Sequence, residues 1–194
     1  MGNRIITISR EFGSGGRTIG RETAQKLGIP CYAEEIIEKI AEESGFSREY
    51  IKERGEYTLS ASWIGNALAG RDFNGYSPSD QLWTVQSNII TELARKSSCV
   101  IVGRCADYVL KDKADCLTVF IHASMEKRAE RIVRVYGESN ETPQKRLKDK
   151  DKRRRAYYQM YTDTEWGIAR NYHIALDSGV LGIEKCVEII SGLY

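Results

Sequence analysis

Ser9-Arg10-Glu11-Phe12-Gly13-Ser14-Gly15-Gly16-Arg17-Thr18 decides the architecture. It follows directly on the apolar run Ile5–Ile8, and a helical pattern begins at its end. A strand, a glycine-rich loop and a helix together gather backbone N–H groups at a helix N-terminus, where they can surround a phosphate. The strict phosphate-loop pattern is GxxxxGK[ST]. Aligned on Gly16-Arg17-Thr18, this chain has Glu11 for the first glycine and Arg17 for the lysine. Most of the chemistry survives. Gly13, Gly15 and Gly16, with Ser14 among them, let the backbone approach a ligand, Arg17 keeps a cation, and Thr18 offers a hydroxyl for Mg²⁺. The competing reading is a glycine-rich βα turn that binds nothing.

Outward from the loop, three more short apolar runs read as buried strands: Cys99–Val102, Leu117–Ile121 and Tyr172–Leu176. Helical spacing of apolar residues covers 17–27, 79–96, 124–135 and 183–193. Strands alternating with helices imply an α/β fold, a parallel sheet covered on both faces. Two stretches exceed that alternation, 32–77 and 137–170, and read as excursions from one domain spanning 1–194. The second carries Thr142 before Pro143, a good helix start.

The 194 residues are 41% hydrophobic and 29% charged, which excludes wholesale disorder. Five cysteines without a CxxC pair suggest reduced core thiols, and no apolar run approaches a membrane span. With no signal-peptide pattern at MGNRIITISR, a cytoplasmic protein is expected. Net charge is +2, but residues 144–155 hold eight Lys or Arg against two Asp. A local basic cluster on a near-neutral chain suits capture of a small polyanion better than coating of nucleic acid. Two distant histidines, His122 and His173, read as structural and make no metal-ligand cluster.

The motifs together carry a resemblance. Gly13-Ser-Gly-Gly-Arg-Thr18 after an Ile-rich strand resembles the loop of the cytidylate kinase-like family, relatives of bacterial CMP kinases among the P-loop nucleoside monophosphate kinases. Val100-Ile-Val-Gly103-Arg104-Cys-Ala-Asp107 resembles its strand-end Gly-Arg, which contacts the acceptor nucleotide in CMP kinases. Asp149-Lys-Asp-Lys-Arg-Arg-Arg155, then Tyr157, Tyr158, Tyr161, Trp166-Gly167 and Asn171-Tyr172, resembles its lid region. The match runs from about residue 4 to 193 in the right order.

The resemblance implies a three-layer P-loop NTPase fold, with a parallel five-stranded sheet of order 2-3-1-4-5. Cys31-Tyr32 would be the second strand, 32–77 the acceptor-binding insert and 137–170 the closing lid. It also implies ATP as donor, Mg²⁺ as cofactor and a nucleoside monophosphate, CMP or dCMP first, as acceptor. The chain departs from CMP kinases at two points. Tyr32-Ala33-Glu34-Glu35 lacks their Asp, so Glu34 or Glu35 replaces that carboxylate or the acceptor differs. Cys105 stands where they follow Gly-Arg with Asp, and Asp107 comes two residues later.

Phosphoryl transfer needs two polyanions in line, water excluded and positive charge that tracks the migrating group. On this reading Gly13–Thr18 hold the donor and Arg17 reaches its terminal phosphates. Arg104 and Asp107 meet the acceptor, and one or two of Arg153, Arg154 and Arg155 close over the phosphates. Arg128 and Arg131, three residues apart, are expected to face the same crevice. Blander readings compete: the Lys-Asp run as a solvated helix face with an Asp151–Arg155 pair, and the three tyrosines as packing. The rivals to a kinase of this acceptor are a P-loop kinase for another small acceptor, a non-catalytic nucleotide or anion sensor and, least favoured, a nucleic-acid binder.

Overall fold

Ile5, Ile6 and Ile8 are wholly excluded from solvent because their strand runs through the middle of the sheet. A computed structural model describes residues 2–54 and 78–194. The Gly- and Asn-containing part of the insert, 65–76, lies outside the described residues. In chain order the elements begin β1 (Arg4–Arg10), α1 (Gly16–Leu27), β2 (Cys31–Tyr32), α2 (Glu35–Ser44) and α3 (Arg48–Arg54). Then come α4 (Pro78–Lys96), β3 (Cys99–Val102), α5 (Ala106–Val109), β4 (Asp115–His122) and α6 (Met125–Tyr136). Last are α7 (Pro143–Tyr161), a 3₁₀ turn (Ala169–Asn171), β5 (Ile174–Asp177), α8 (Ser178–Leu181) and α9 (Ile183–Leu193).

All pairings are parallel and the order is β2-β3-β1-β4-β5, as the resemblance implied. Ile6 lies between Val100 and Leu117 in register. Alternation along the strands sends Ile5, Cys99 and Ile101 to one face, against Ile36 and Ile40 of α2 and Leu82, Ile90 and Leu93 of α4. Ile6, Ile8, Val100, Val102 and Val119 go to the other, against Ile19 and Ala24 of α1 and Val187 and Ile190 of α9. A separate aromatic cluster of Phe120, Tyr157, Tyr158, Trp166 and Tyr172 seats α7 on the sheet. The tyrosines are packing residues, and Tyr161 stacks on Trp83 at 4.3 Å.

Element boundaries differ where a turn competes with the ladder. The last strand begins at Ile174, not Tyr172, because Tyr172 closes the 3₁₀ turn with its N–H on the Ala169 carbonyl. β4 starts earlier than Leu117, at Asp115. Thr142 caps α7 as expected, its hydroxyl accepting from the Lys145 N–H with Pro143 in the first turn. All five cysteines are free, and burial pushes the Cys31 and Cys116 thiols up to about 11 and Cys99 to about 12. Those three thiols stay protonated and behave as small core residues. No helix among the described residues is long and apolar enough to cross a membrane.

Candidate functional site

The loop between β1 and α1 is braced from beneath. The Glu11 N–H donates to the Ile121 carbonyl at 3.0 Å, so the chain leaves β1 still tied to β4. Ser14 is buried, and its hydroxyl donates to the Glu11 and Ile121 carbonyls at 2.9 and 3.1 Å. Its own carbonyl accepts from the Ser178 hydroxyl at 2.6 Å, so Ser14 shapes the loop and its side chain offers nothing to a ligand. Gly13 and Gly15 both sit at φ 81°. A Cβ on Gly13 would lie 2.9 Å from Ile132, and one on Gly15 2.6 Å from Ile183, so neither position accepts a side chain. Gly15 caps α1, leaving the N–H groups of Gly16, Arg17 and Thr18 in the first turn without intrahelical acceptors. Those amides and the positive end of the helix are a chemistry that can hold an anion.

The cations around that site are not all those expected. Arg131 reaches it: Nη2 donates to Thr18 Oγ1 at 3.0 Å, and its guanidinium lies over Gly15. Arg17 leans away to Glu34 at 2.6 Å, where Arg21 also approaches Glu34 and Glu35 at 4.0 and 3.8 Å. Glu35 accepts from the Ala33 N–H at 2.8 Å, which fixes the entry to α2.

A second cationic site opens between the carboxyl ends of β1 and β3. Ser9, Arg10, Arg104, Arg154 and Tyr158 are among the residues lining a narrow cavity of about 20 Å³, and its lining among the described residues includes no Asp or Glu. Arg10, Arg104 and Arg154 are 7%, 4% and 6% exposed. Three consecutive residues, Gly103, Arg104 and Cys105, have φ of 79°, 61° and 53°, which turns the chain sharply at the strand end. Non-glycine residues in this region cost on the order of 1 kcal/mol each and concentrate at ligand sites. Arg104 is held by Gln86, which accepts from its Nη1 at 3.3 Å and donates to its carbonyl at 3.1 Å. Arg154 donates to the Arg10 carbonyl at 3.0 Å and lies over the Phe12 ring.

Glu11, in place of the pattern's first glycine, faces Arg128 at 3.3 Å and accepts from the Ala123 N–H at 3.2 Å. Burial pushes its carboxyl above the usual range, against the pull of Arg128. Arg128 is buried, pairs with Asp151 and donates to the Ala123 and Phe12 carbonyls, so it does not face the crevice as the sequence suggested. The Asp151–Arg155 pair of the bland reading is replaced by this contact.

The cytidylate kinase-like family model matches residues 5–180. The chain belongs to that family. Among curated relatives, the cytidylate kinase of Ignicoccus hospitalis is 24% identical over 187 residues, covering 96% of each chain. Among solved structures, an uncharacterized protein from Eubacterium ventriosum superposes with a TM-score of 0.75 at 25% identity, over 98% of both chains. A shikimate kinase from Acinetobacter baumannii shares the fold at a TM-score of 0.54 and 16% identity, over 100% of this chain and 93% of that one.

Within this family member, the expected residues gather at the sheet's carboxyl end with different partners. Of the lid arginines, only Arg154 enters the cavity; Arg153 is exposed, and Arg155 lies 5.8 Å over Trp166. Asp107 does not line the cavity. Its Oδ2 accepts from the Tyr158 hydroxyl at 2.7 Å, its Oδ1 is buried without a partner, and burial pushes its carboxyl up. Arg10 was missed by the sequence reading, although it ends the central strand, at the carboxyl end of the sheet where ligands bind in such folds. Among the described residues no group of three or more His, Cys, Asp or Glu is placed to hold a metal. Thr18 Oγ1, half-buried beside Gly15, is the neutral oxygen that fits a cation brought in with phosphates.

Proposed function

We propose that this cytidylate kinase-like chain transfers the terminal phosphoryl group of ATP to a nucleoside monophosphate, with CMP or dCMP as the first acceptors. The observation that carries the reading is the pairing of two anion sites at the end of β1: the Gly13–Thr18 loop, and the three-arginine cavity that Arg10 shares. One suits a donor's phosphates and the other an acceptor's phosphate. The acceptor phosphate is larger than the present cavity, so the guanidinium groups move outward to admit it, forming charge-assisted bonds as they do.

The residues divide the work by position. The loop amides and the α1 dipole hold the donor β-phosphate without reorganising. Arg131 is already beside the loop, and Arg17 swings in from Glu34. That move is cheap, because an exposed ion pair holds about 0–1 kcal/mol while charged bonds to phosphate give about 1.5–3 kcal/mol each. Mg²⁺ would be held by Thr18 Oγ1 and would supply charge neutralisation on the transferring group. Arg10, Arg104 and Arg154 orient the acceptor phosphate, and α7 keeps water out. Glu34 and Glu35 stand at the start of α2, where they bound the acceptor side.

Chromatographic assay of ATP with CMP, dCMP, UMP, AMP and GMP tests this. The expected result is ADP and one nucleoside diphosphate formed in equal amounts, with a pyrimidine monophosphate best. Tight ATP binding without turnover on any monophosphate would overturn it and leave a P-loop kinase for another small acceptor or a nucleotide sensor.

A further inference from the structure

The Phe12 backbone, at the entry to the phosphate loop, is gripped on both sides by charge. Its N–H donates to Asp151 Oδ1 at 2.7 Å, and its carbonyl accepts from Arg128 Nη1 at 3.2 Å. Asp151 belongs to α7 and Arg128 to α6, and the two are paired with each other through Asp151 Oδ2. Glu11 completes the set from the loop itself. Three buried or half-buried charges on three separate elements thus converge on the backbone of one residue, Glu11 acting through Arg128. Buried ion networks are a poor source of stability compared with apolar packing, but they fix geometry.

The geometry fixed here has consequences on both sides. The next residue, Gly13, takes the left-handed turn and packs against Ile132 of α6 and Leu147 of α7, so the two peptide groups flanking Phe12 aim the amides that follow. Three residues beyond Asp151 on the same helix face is Arg154, which lines the arginine cavity and donates to the Arg10 carbonyl. Lifting α7 would remove the acceptor of the Phe12 N–H and a wall of the second site in one step.

We propose that Asp151 and Glu11 are positioning residues that make the phosphate loop's binding shape conditional on the seating of α7, so that donor binding and lid closure assist each other. The proposal rests on the loop being the donor site. By linkage the assistance is mutual: a seated α7 strengthens nucleotide binding, and bound nucleotide holds α7 down.

Asp151→Asn keeps the shape but sets an amide N–H₂ or a neutral oxygen against Arg128. In the unliganded full chain, hydrogen exchange at amides 12–18 should quicken about tenfold, with amides 100–102 and 119–121 unchanged. ADP affinity by calorimetry should fall about tenfold, and KM for ATP should rise more than kcat falls. Loop exchange unchanged, or quickened equally in the core strands, would overturn the proposal. So would a fall in kcat at constant KM, the mark of a smaller folded fraction. Should Asp151→Asn fail to fold, Glu11→Gln serves: it lies outside the lid, yet amides 147–158 should exchange faster. A purely local effect around residue 11 would overturn the coupling. Wild-type protein that binds no ADP would sink the donor-site reading, while the two exchange measurements still decide the coupling.

Discussion

Arg104 has an unfavourable backbone angle and a buried charge, both of which a stability-optimised chain would avoid. Its φ of 61° and its burial beside Arg10 and Arg154 are explained together if the side chain must be aimed at an anion. Arg104→Ala should weaken a monophosphate by about 30-fold, on the order of 2 kcal/mol, while ADP affinity stays within about twofold. Arg104→Gly should lose the same affinity but be more stable than the Ala variant by about 1 kcal/mol, because glycine relieves the left-handed strain. Calorimetry and denaturant melts on the pair separate aim from strain. Equal loss for both nucleotides would make Arg104 structural.

Asp107 gives a pH-dependent case at the same scale. Burial penalises its charged form and raises its pKa above the ordinary 3.8, despite the Tyr158 hydrogen bond. The folded state therefore binds more protons than the unfolded one between 3.8 and the raised value, and stability falls as pH rises through that window. Asp107→Asn retains an acceptor for the Tyr158 hydroxyl and removes the charge. Its melting temperature should exceed wild type by about 2 °C at pH 7.5, the gap closing as pH approaches 4. A gap that widens toward acid would mean the carboxylate is stabilised in the fold.

At the scale of elements, α1 shows packing overruling propensity. Gly20 lies mid-helix, where alanine would gain about 1 kcal/mol of helix propensity. A Cβ there would stand 2.7 Å from a methyl of Val102 and 3.3 Å from Ile8, both in core strands. Overpacking of this kind costs about 1–3 kcal/mol, so Gly20→Ala should be net destabilising by about 1 kcal/mol, a fall of about 2–4 °C in melting temperature. A higher melting point would show that α1 can move off the sheet.

Elements were legible in proportion to how apolar their buried faces are. β1, β3 and β4 are covered on both sides and announce themselves as runs of Ile and Val. β2 is two residues long, and only the family resemblance located it. The face of α7 that packs inward is Leu147, Asp151, Arg154, Tyr157 and Tyr158, in which charge stands where periodicity looks for apolar residues. A Lys-Asp-Arg run buried by ion pairing looks like a solvated helix from sequence, and here it is half core.

For the whole molecule, the loop glycines and Arg104 could be read from the chain because each follows a strand end, which in a parallel sheet is the ligand end. Arg131, three residues from Arg128, is also expected at the crevice and does reach Thr18, and Arg10 is placed by ending β1. The Glu11–Arg128–Asp151 set could not be read, since its meaning lies in the convergence of β1, α6 and α7. That convergence bears on the lid. The charge carried between about Thr142 and Tyr161 predicts a self-repelling segment that stays mobile until a polyanion arrives. The fold instead gives the helix two kinds of turn. From Asp151 to Tyr158 it is pinned by the Phe12 N–H, the Arg10 carbonyl, Asp107 and the aromatic cluster. From Pro143 to Arg146 it is half-buried to exposed, held by the Thr142 cap and the Lys145–Glu141 pair. Hydrogen exchange on the unliganded protein should therefore find amides 151–158 slow and 144–147 fast. A ligand joining ATP to a nucleoside monophosphate should slow the fast stretch most, and slow 151–158 further by holding α7 down. Fast exchange through the whole of 143–161 in the empty protein would mean that α7 is not docked, and that the arginine cavity exists only once substrate assembles it.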